Sequence, residues 1–184
     1  MLPKLGPLET QQLWLNALRW QKKGGLQAKE EAQKILDAIE TSWLIRAAGP
    51  RDGWFPWPTT EAHPGLGTLG PNQWLEMGLL SFLGYHVGAN GEAESVRRLI
   101  LQRLLFLKVL PPVFPAWYLR QWGEVESAER LKKTADTIAS LVRNNRRMAD
   151  PSRDLAIEHW CCDLTYLHRE HYTARFGFAW PDTI

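Results

Sequence analysis

The sequence predicts an all-α fold of six or seven helices, with an N-terminal helical hairpin packed on a compact helical body. Three observations carry this. Apolar residues recur at steps of three and four, most clearly from Glu124 to Tyr172, as on a helix with one buried face. Glycine and proline fall between these periodic segments rather than inside them. The composition, 45% hydrophobic and 23% charged, is that of a chain that buries a core without disulfides or metal.

In order along the chain, Leu8 to about Lys22 reads as a first helix, with Trp14, Leu15 and Leu18 inward and its basic residues at the C-terminal end, where they suit the helix dipole. Gly24 and Gly25 end it. The second helix, about Gln27 to Ala47, carries Ala28, Ala32, Ile35, Leu36, Ile39 and Trp43 on one stripe, so residues 1–48 form an antiparallel hairpin. Residues 49–71 lose the helical period and place seven Gly or Pro in their first eighteen positions. A loop of that length is a lid over the core or a stacking surface, with Trp54, Phe55 and Trp57 as its aromatic members.

The body, residues 72–184, opens with a third helix from Asn72 to His86, apolar nearly all round. Gly84, Gly88 and Gly91 then end it and turn the chain, in a spacing that matches no phosphate-binding fingerprint. A fourth helix runs from Glu92 to Leu110. The stiff stretch Pro111 to Pro115 leads to a short helix, Ala116 to Trp122. Two long helices follow. The first starts near Glu124 and turns Ala128, Leu131, Ala135, Ile138 and Val142 inward. Asp150 and Pro151 open the second, whose inner face is Ile157, Trp160, Cys161, Leu164 and Leu167. Phe176, Phe178 and Trp180 give the C-terminal stretch enough aromatic surface to hold it across the core.

The net charge of +2 excludes a strongly basic polyanion scaffold but leaves room for a local patch. Residues 91–150 supply that excess, with eleven Lys or Arg against seven Asp or Glu. On the helix from Glu124, Lys133, Thr137, Ser140, Asn144 and Arg147 lie one above another, flanked by Lys132, Arg143 and Arg146. Basic side chains interleaved with hydroxyls and amides are what phosphate oxygens accept from, which makes Lys132, Lys133, Arg143, Asn144, Arg146 and Arg147 the candidate nucleic-acid contacts. The same arrangement also serves as a solvated face that complements the helix dipole.

A second candidate lies in Glu158 to His171, where His159, Cys162, Asp163 and His168 are residue types a transition metal takes, giving a metal-dependent enzyme as the alternative function. Their spacing yields only isolated i, i+4 pairs pointing in different directions, with no HExxH or CxxC. Cys161 and Cys162 point about 100° apart on their helix, which suits neither a mutual disulfide nor, beside Asp163 and Glu158, a nucleophilic thiolate. Asp163 is placed to pair with an arginine of the neighbouring helix, such as Arg143. A third candidate is a small-ligand site of Trp54, Trp57 and Trp180, built on the ten tryptophans of the chain. No cofactor is implied. With no apolar run able to span a bilayer, no signal-like N-terminus and two unframed thiols, the expected setting is cytoplasmic and non-membrane.

From about Trp74 to Pro181 the chain resembles a helical module of uncharacterised bacterial proteins. The matching residues are Leu83, Gly84, Tyr85, Val87, Gly88 and Gly91; Arg143 and Asn144; Ala156, Ile157, Trp160, Asp163, Leu164 and Leu167; and Phe178, Trp180 and Pro181, with Trp122, Gly123, Ser127, Ala128, Arg130 and Leu131 between. The resemblance implies a small cytoplasmic bacterial protein from a mobile-element or defence-associated locus. It brings no catalytic residue or cofactor, so the expected function is a non-enzymatic interaction module that binds a protein partner, nucleic acid, or both.

Overall fold

The computed structural model of the chain describes residues 5–48 and 78–183. Among them are seven α-helices and no strand: α1 Pro7–Lys23, α2 Leu26–Ala48, α3 Leu79–Phe82, α4 Glu94–Phe106, α5 Ala116–Arg120, α6 Ala128–Met148 and α7 Asp154–Leu167. A 3₁₀ turn, Pro151–Arg153, leads into α7, and a π-helical turn, His168–Tyr172, leads out of it. Helices α1 and α2 form the expected hairpin, α1 packs on α4, α4 on α7, and α6 on α7.

The hairpin starts where its sequence says it should. Pro7 sits in the first turn, where its missing N–H costs nothing, and the Glu9 carboxylate accepts the Gly6 backbone N–H at 2.8 Å. Trp14 and Trp43 meet across the pair with ring centroids 5.1 Å apart. Arg103 of α4 fastens the hairpin to the body, donating to Glu40 at 3.0 Å and to Gln33 at 2.8 Å on α2. The inner face of α6 buries Leu131, Ala135, Ile138, Ala139 and Val142, and that of α7 buries Trp160, Leu164 and Leu167.

Four boundaries differ from the sequence expectation, each for a local reason. Of the expected helix over 72–86, residues 72–77 lie outside the described part of the chain, and the described remainder is helical only over Leu79–Phe82. Gly84 ends it at φ +88°, where an added Cβ would stand 2.7 Å from Leu15 Cδ1 of α1, so both the turn and the close approach of α1 require glycine. Helix α4 stops at Phe106 rather than Leu110, with Leu107 already in extended backbone at φ −62°, ψ 118°. The main-chain carbonyls freed at its end accept from Arg130, whose Nη1 reaches Leu107 and Leu104 and whose Nη2 reaches Gly123 at 2.8 Å. Helix α6 begins at Ala128, not Glu124, because Ser127 is its N-cap, its hydroxyl accepting from the Arg130 backbone N–H at 3.1 Å. Helix α7 begins at Asp154, after Asp150 has capped the 3₁₀ turn through the Ser152 N–H at 3.0 Å. The loop 49–71, with Trp54 and Trp57, lies outside the described residues.

The C-terminal stretch does lie on the body. Phe176, Phe178 and Trp180 are partly buried against the core. Trp180 meets His168 and Tyr172, each with ring centroids 4.9 Å away, and the Tyr172 hydroxyl donates to the Phe178 carbonyl.

Candidate functional site

The C-terminal end of α6 gathers Arg143, Arg146 and Arg147 within about one turn, at the negative pole of the helix dipole. Among the described residues none of the three makes an ion pair with a carboxylate. Arg143 donates from Nη1 to the Asp182 main-chain carbonyl and from Nη2 to Ser140 Oγ at 3.0 Å. Arg146 donates from Nη1 to the Thr183 carbonyl at 2.6 Å, and its Nη2 lies 3.7 Å from Cys161 Sγ. Arg147 and Asn144 are exposed. The atoms that accept from Arg143 and Arg146 are neutral, chiefly main-chain oxygens.

The remaining members of the expected stripe are less available. Lys132 is paired with Asp136 at 2.5 Å, one turn along the same helix, and Lys133 donates to Gln121 at 3.3 Å. The Thr137 and Ser140 hydroxyls donate to carbonyls one turn back, those of Lys133 and Asp136, each at 2.7 Å. Hydroxyls spent on their own helix do not offer protons to a phosphate, so the stripe narrows to its arginine end. Sequence reasoning missed the main-chain acceptors at Asp182 and Thr183. The alternation of Phe176, Phe178 and Trp180 signals a docked tail, but backbone carbonyls have no residue identity by which their target could be read.

The proposed metal ligands are not brought together. Asp163 is fully buried and faces α4 rather than α6: its Oδ2 accepts from Arg97 Nε at 2.7 Å and from the Tyr85 hydroxyl at 2.8 Å, and its Oδ1 faces Arg97 Nη2 at 3.4 Å. The expected pairing with Arg143 is therefore replaced by one with Arg97, which also donates to the Glu92 carbonyl at 2.9 Å. Burial, and after it the Asp163 charge, push the Tyr85 hydroxyl well above its ordinary pKa, so Tyr85 remains a proton donor to the carboxylate. His159 Nδ1 accepts from the Gly88 N–H at 3.2 Å, holding the glycine loop to α7. Cys162 and His159 line an open groove of about 940 Å³ together with that loop and the Arg19–Glu92 ion pair. His168 instead lies tilted against Tyr172, ring centroids 4.9 Å apart, in the π-turn. No group of three or more His, Cys, Asp or Glu placed to hold a metal occurs among the described residues.

Of the three tryptophans assigned to a ligand site, Trp180 is held in the tail's aromatic cluster, where Phe178 stacks on it at 6.1 Å. Trp54 and Trp57 lie outside the described residues. Among the described residues no helix is long and apolar enough to cross a membrane. Comparisons with known protein families, curated proteins and solved structures find no match to the chain.

Proposed function

We propose that this protein is a non-enzymatic helical interaction module, an accessory subunit of a bacterial assembly, that engages a nucleic-acid backbone through the arginine end of α6. One observation carries the reading: Arg143, Arg146 and Arg147 are clustered, and the groups that accept from Arg143 and Arg146 among the described residues are neutral. Arginines matched to carboxylates would form a self-contained ion network. Arginines matched to carbonyl oxygens keep their full charge and attract phosphates, whose oxygens they bind in the same fork geometry. Of the residues offered for metal chemistry, Asp163 is sealed under Tyr85 and Arg97.

Fluorescence anisotropy with labelled single- and double-stranded DNA and RNA tests this directly. Binding at low salt that weakens steeply as salt rises supports the reading. Binding to none of the four, or binding indifferent to salt, overturns it.

A protein partner is the second reading, favoured by Trp20 and Leu26. These large apolar side chains are 51% and 79% exposed on either side of the hairpin turn. Replacing both with Ser should leave the fold intact and abolish recovery of a stoichiometric partner from the native host. Undiminished recovery would count against this surface.

A further inference from the structure

We infer that the C-terminal tail, residues 173–183, is a built-in competitor for the arginine site, a strap whose main-chain carbonyls stand where phosphate oxygens would bind. The inference rests on the proposed nucleic-acid reading and adds its regulation. Two hydrogen bonds place the strap on the site: Arg143 Nη1 donates to the Asp182 carbonyl and Arg146 Nη1 to the Thr183 carbonyl. Both nitrogens belong to the side chains that the reading assigns to the backbone phosphates, so tail and nucleic acid compete for the same protons.

A stretch outside the helices holds such a position only if something anchors it, and the aromatic residues supply the anchor. Trp180 lies edge-on to His168 at 4.9 Å and tilted against Tyr172 at 4.9 Å, and Phe178 packs on Tyr172 at 4.9 Å. The Tyr172 hydroxyl donates to the Phe178 carbonyl. The anchor ends at Trp180, just ahead of the carbonyls that the arginines grip, so it fixes where those carbonyls fall. The strap also roofs a groove of about 350 Å³ lined by Cys161, Thr165, His168, Trp180 and Asp182. The buried faces of α6 and α7 pack through Ile138, Val142, Trp160 and Leu164.

The energetics favour a gate over a permanent cover. A carbonyl accepting from an arginine is a single charge-assisted bond to a neutral group, whereas a phosphate brings charge and two oxygens to the same fork. Nucleic acid therefore displaces the strap once the aromatic anchor yields, and the strap reduces apparent affinity by the fraction of molecules in which it is closed.

The test uses the full chain carrying Cys162→Ser, so that Cys161 beneath the strap is the one remaining thiol. Trp180→Ala, and separately His168→Ala, remove opposite halves of the anchor without altering the arginines. Each is read by the rate at which a maleimide modifies Cys161 and by anisotropy titration of a labelled 20-nucleotide single strand. The expected result is faster modification together with a several-fold lower Kd, and a slope of log Kd against log salt steeper by about 0.7 for each of the one or two further phosphates engaged. Faster modification with unchanged or weaker binding makes the strap part of the interface or irrelevant to it, and overturns this inference while leaving the nucleic-acid reading standing. Modification unchanged in both variants shows that the aromatic residues do not hold the strap, and overturns it as well. If neither the parent nor either variant binds the oligonucleotide, the underlying reading falls and the inference with it.

Discussion

Two sets of arginines divide this molecule. Arg97 and Arg130 are 2% and 3% exposed and hold helices together from inside, whereas Arg143, Arg146 and Arg147 sit at the open end of α6. Arg97 is matched by a buried carboxylate and Arg130 by the carbonyls that end α4. Among the described residues the outer set donates only to the tail, Ser140 and Cys161. Residue type is the same, yet the surroundings differ in kind. A buried guanidinium must be satisfied internally or it destabilises the fold. An exposed one gains little stability from a partner, and so is free to serve binding.

The strongest way to break this contrast is to strip the inner set of its partner. Asp163→Ala leaves Arg97 charged and buried beside an orphaned Tyr85 hydroxyl, and should cost about 3–5 kcal/mol of stability in urea unfolding monitored by circular dichroism. Arg130→Met should cost about 1–3 kcal/mol, because the Leu107 and Gly123 carbonyls lose their donor. A loss below about 0.5 kcal/mol for either, the size of an ordinary surface substitution, would place that arginine with the outer set. The double variant Arg143→Ala/Arg146→Ala sharpens the comparison from the other side. It should change stability by no more than about 1 kcal/mol, as expected for exposed side chains, while its nucleic-acid affinity falls at low salt. A large drop in Tm would show that the arginine–tail hydrogen bonds are structural.

The smallest effect is a pH dependence from His171, which is buried against Phe106 in the π-turn. Burial first, and then the nearby Arg175 charge, hold its pKa below the ordinary value of 6.5. The unfolded chain therefore takes up a proton before the folded one does, so stability is complete above about 6.5 and declines as the pH falls from there toward the lower folded-state value. Urea midpoints across that window check the sign, and His171→Gln should remove this contribution. A midpoint that rises on acidification, and does so only while His171 is present, would contradict it.

Much of the fold was legible because it is local. Leu131, Ala135, Ile138 and Val142 recur at the helical period, and all four are buried where that period puts them. The hairpin followed from the Gly24–Gly25 break in the same way. What the periodicity could not carry was long-range pairing. Asp163 has Arg97 and Arg143 within plausible reach on neighbouring helices, and only the packing of α4 on α7 selects the first. The arginine end of α6 was visible as a charge cluster. That its partners are the carbonyls of residues 182 and 183 was not, because those acceptors are the same in every amino acid. The partners of the stripe toward Lys132 were equally hidden, since Asp136 and Gln121 engage its lysines and helix carbonyls take its hydroxyls.

The division of labour between the two sets is tested most directly by the slope of log Kd against log salt for a labelled DNA duplex, measured on the wild-type chain and on Arg143→Ala/Arg146→Ala. The account predicts a steep wild-type slope, reduced in the variant by about 0.9 for each phosphate that the absent guanidinium groups no longer neutralise, with stability changed by no more than about 1 kcal/mol. Parallel slopes for the two proteins, or a wild-type chain that does not bind the duplex, would contradict it.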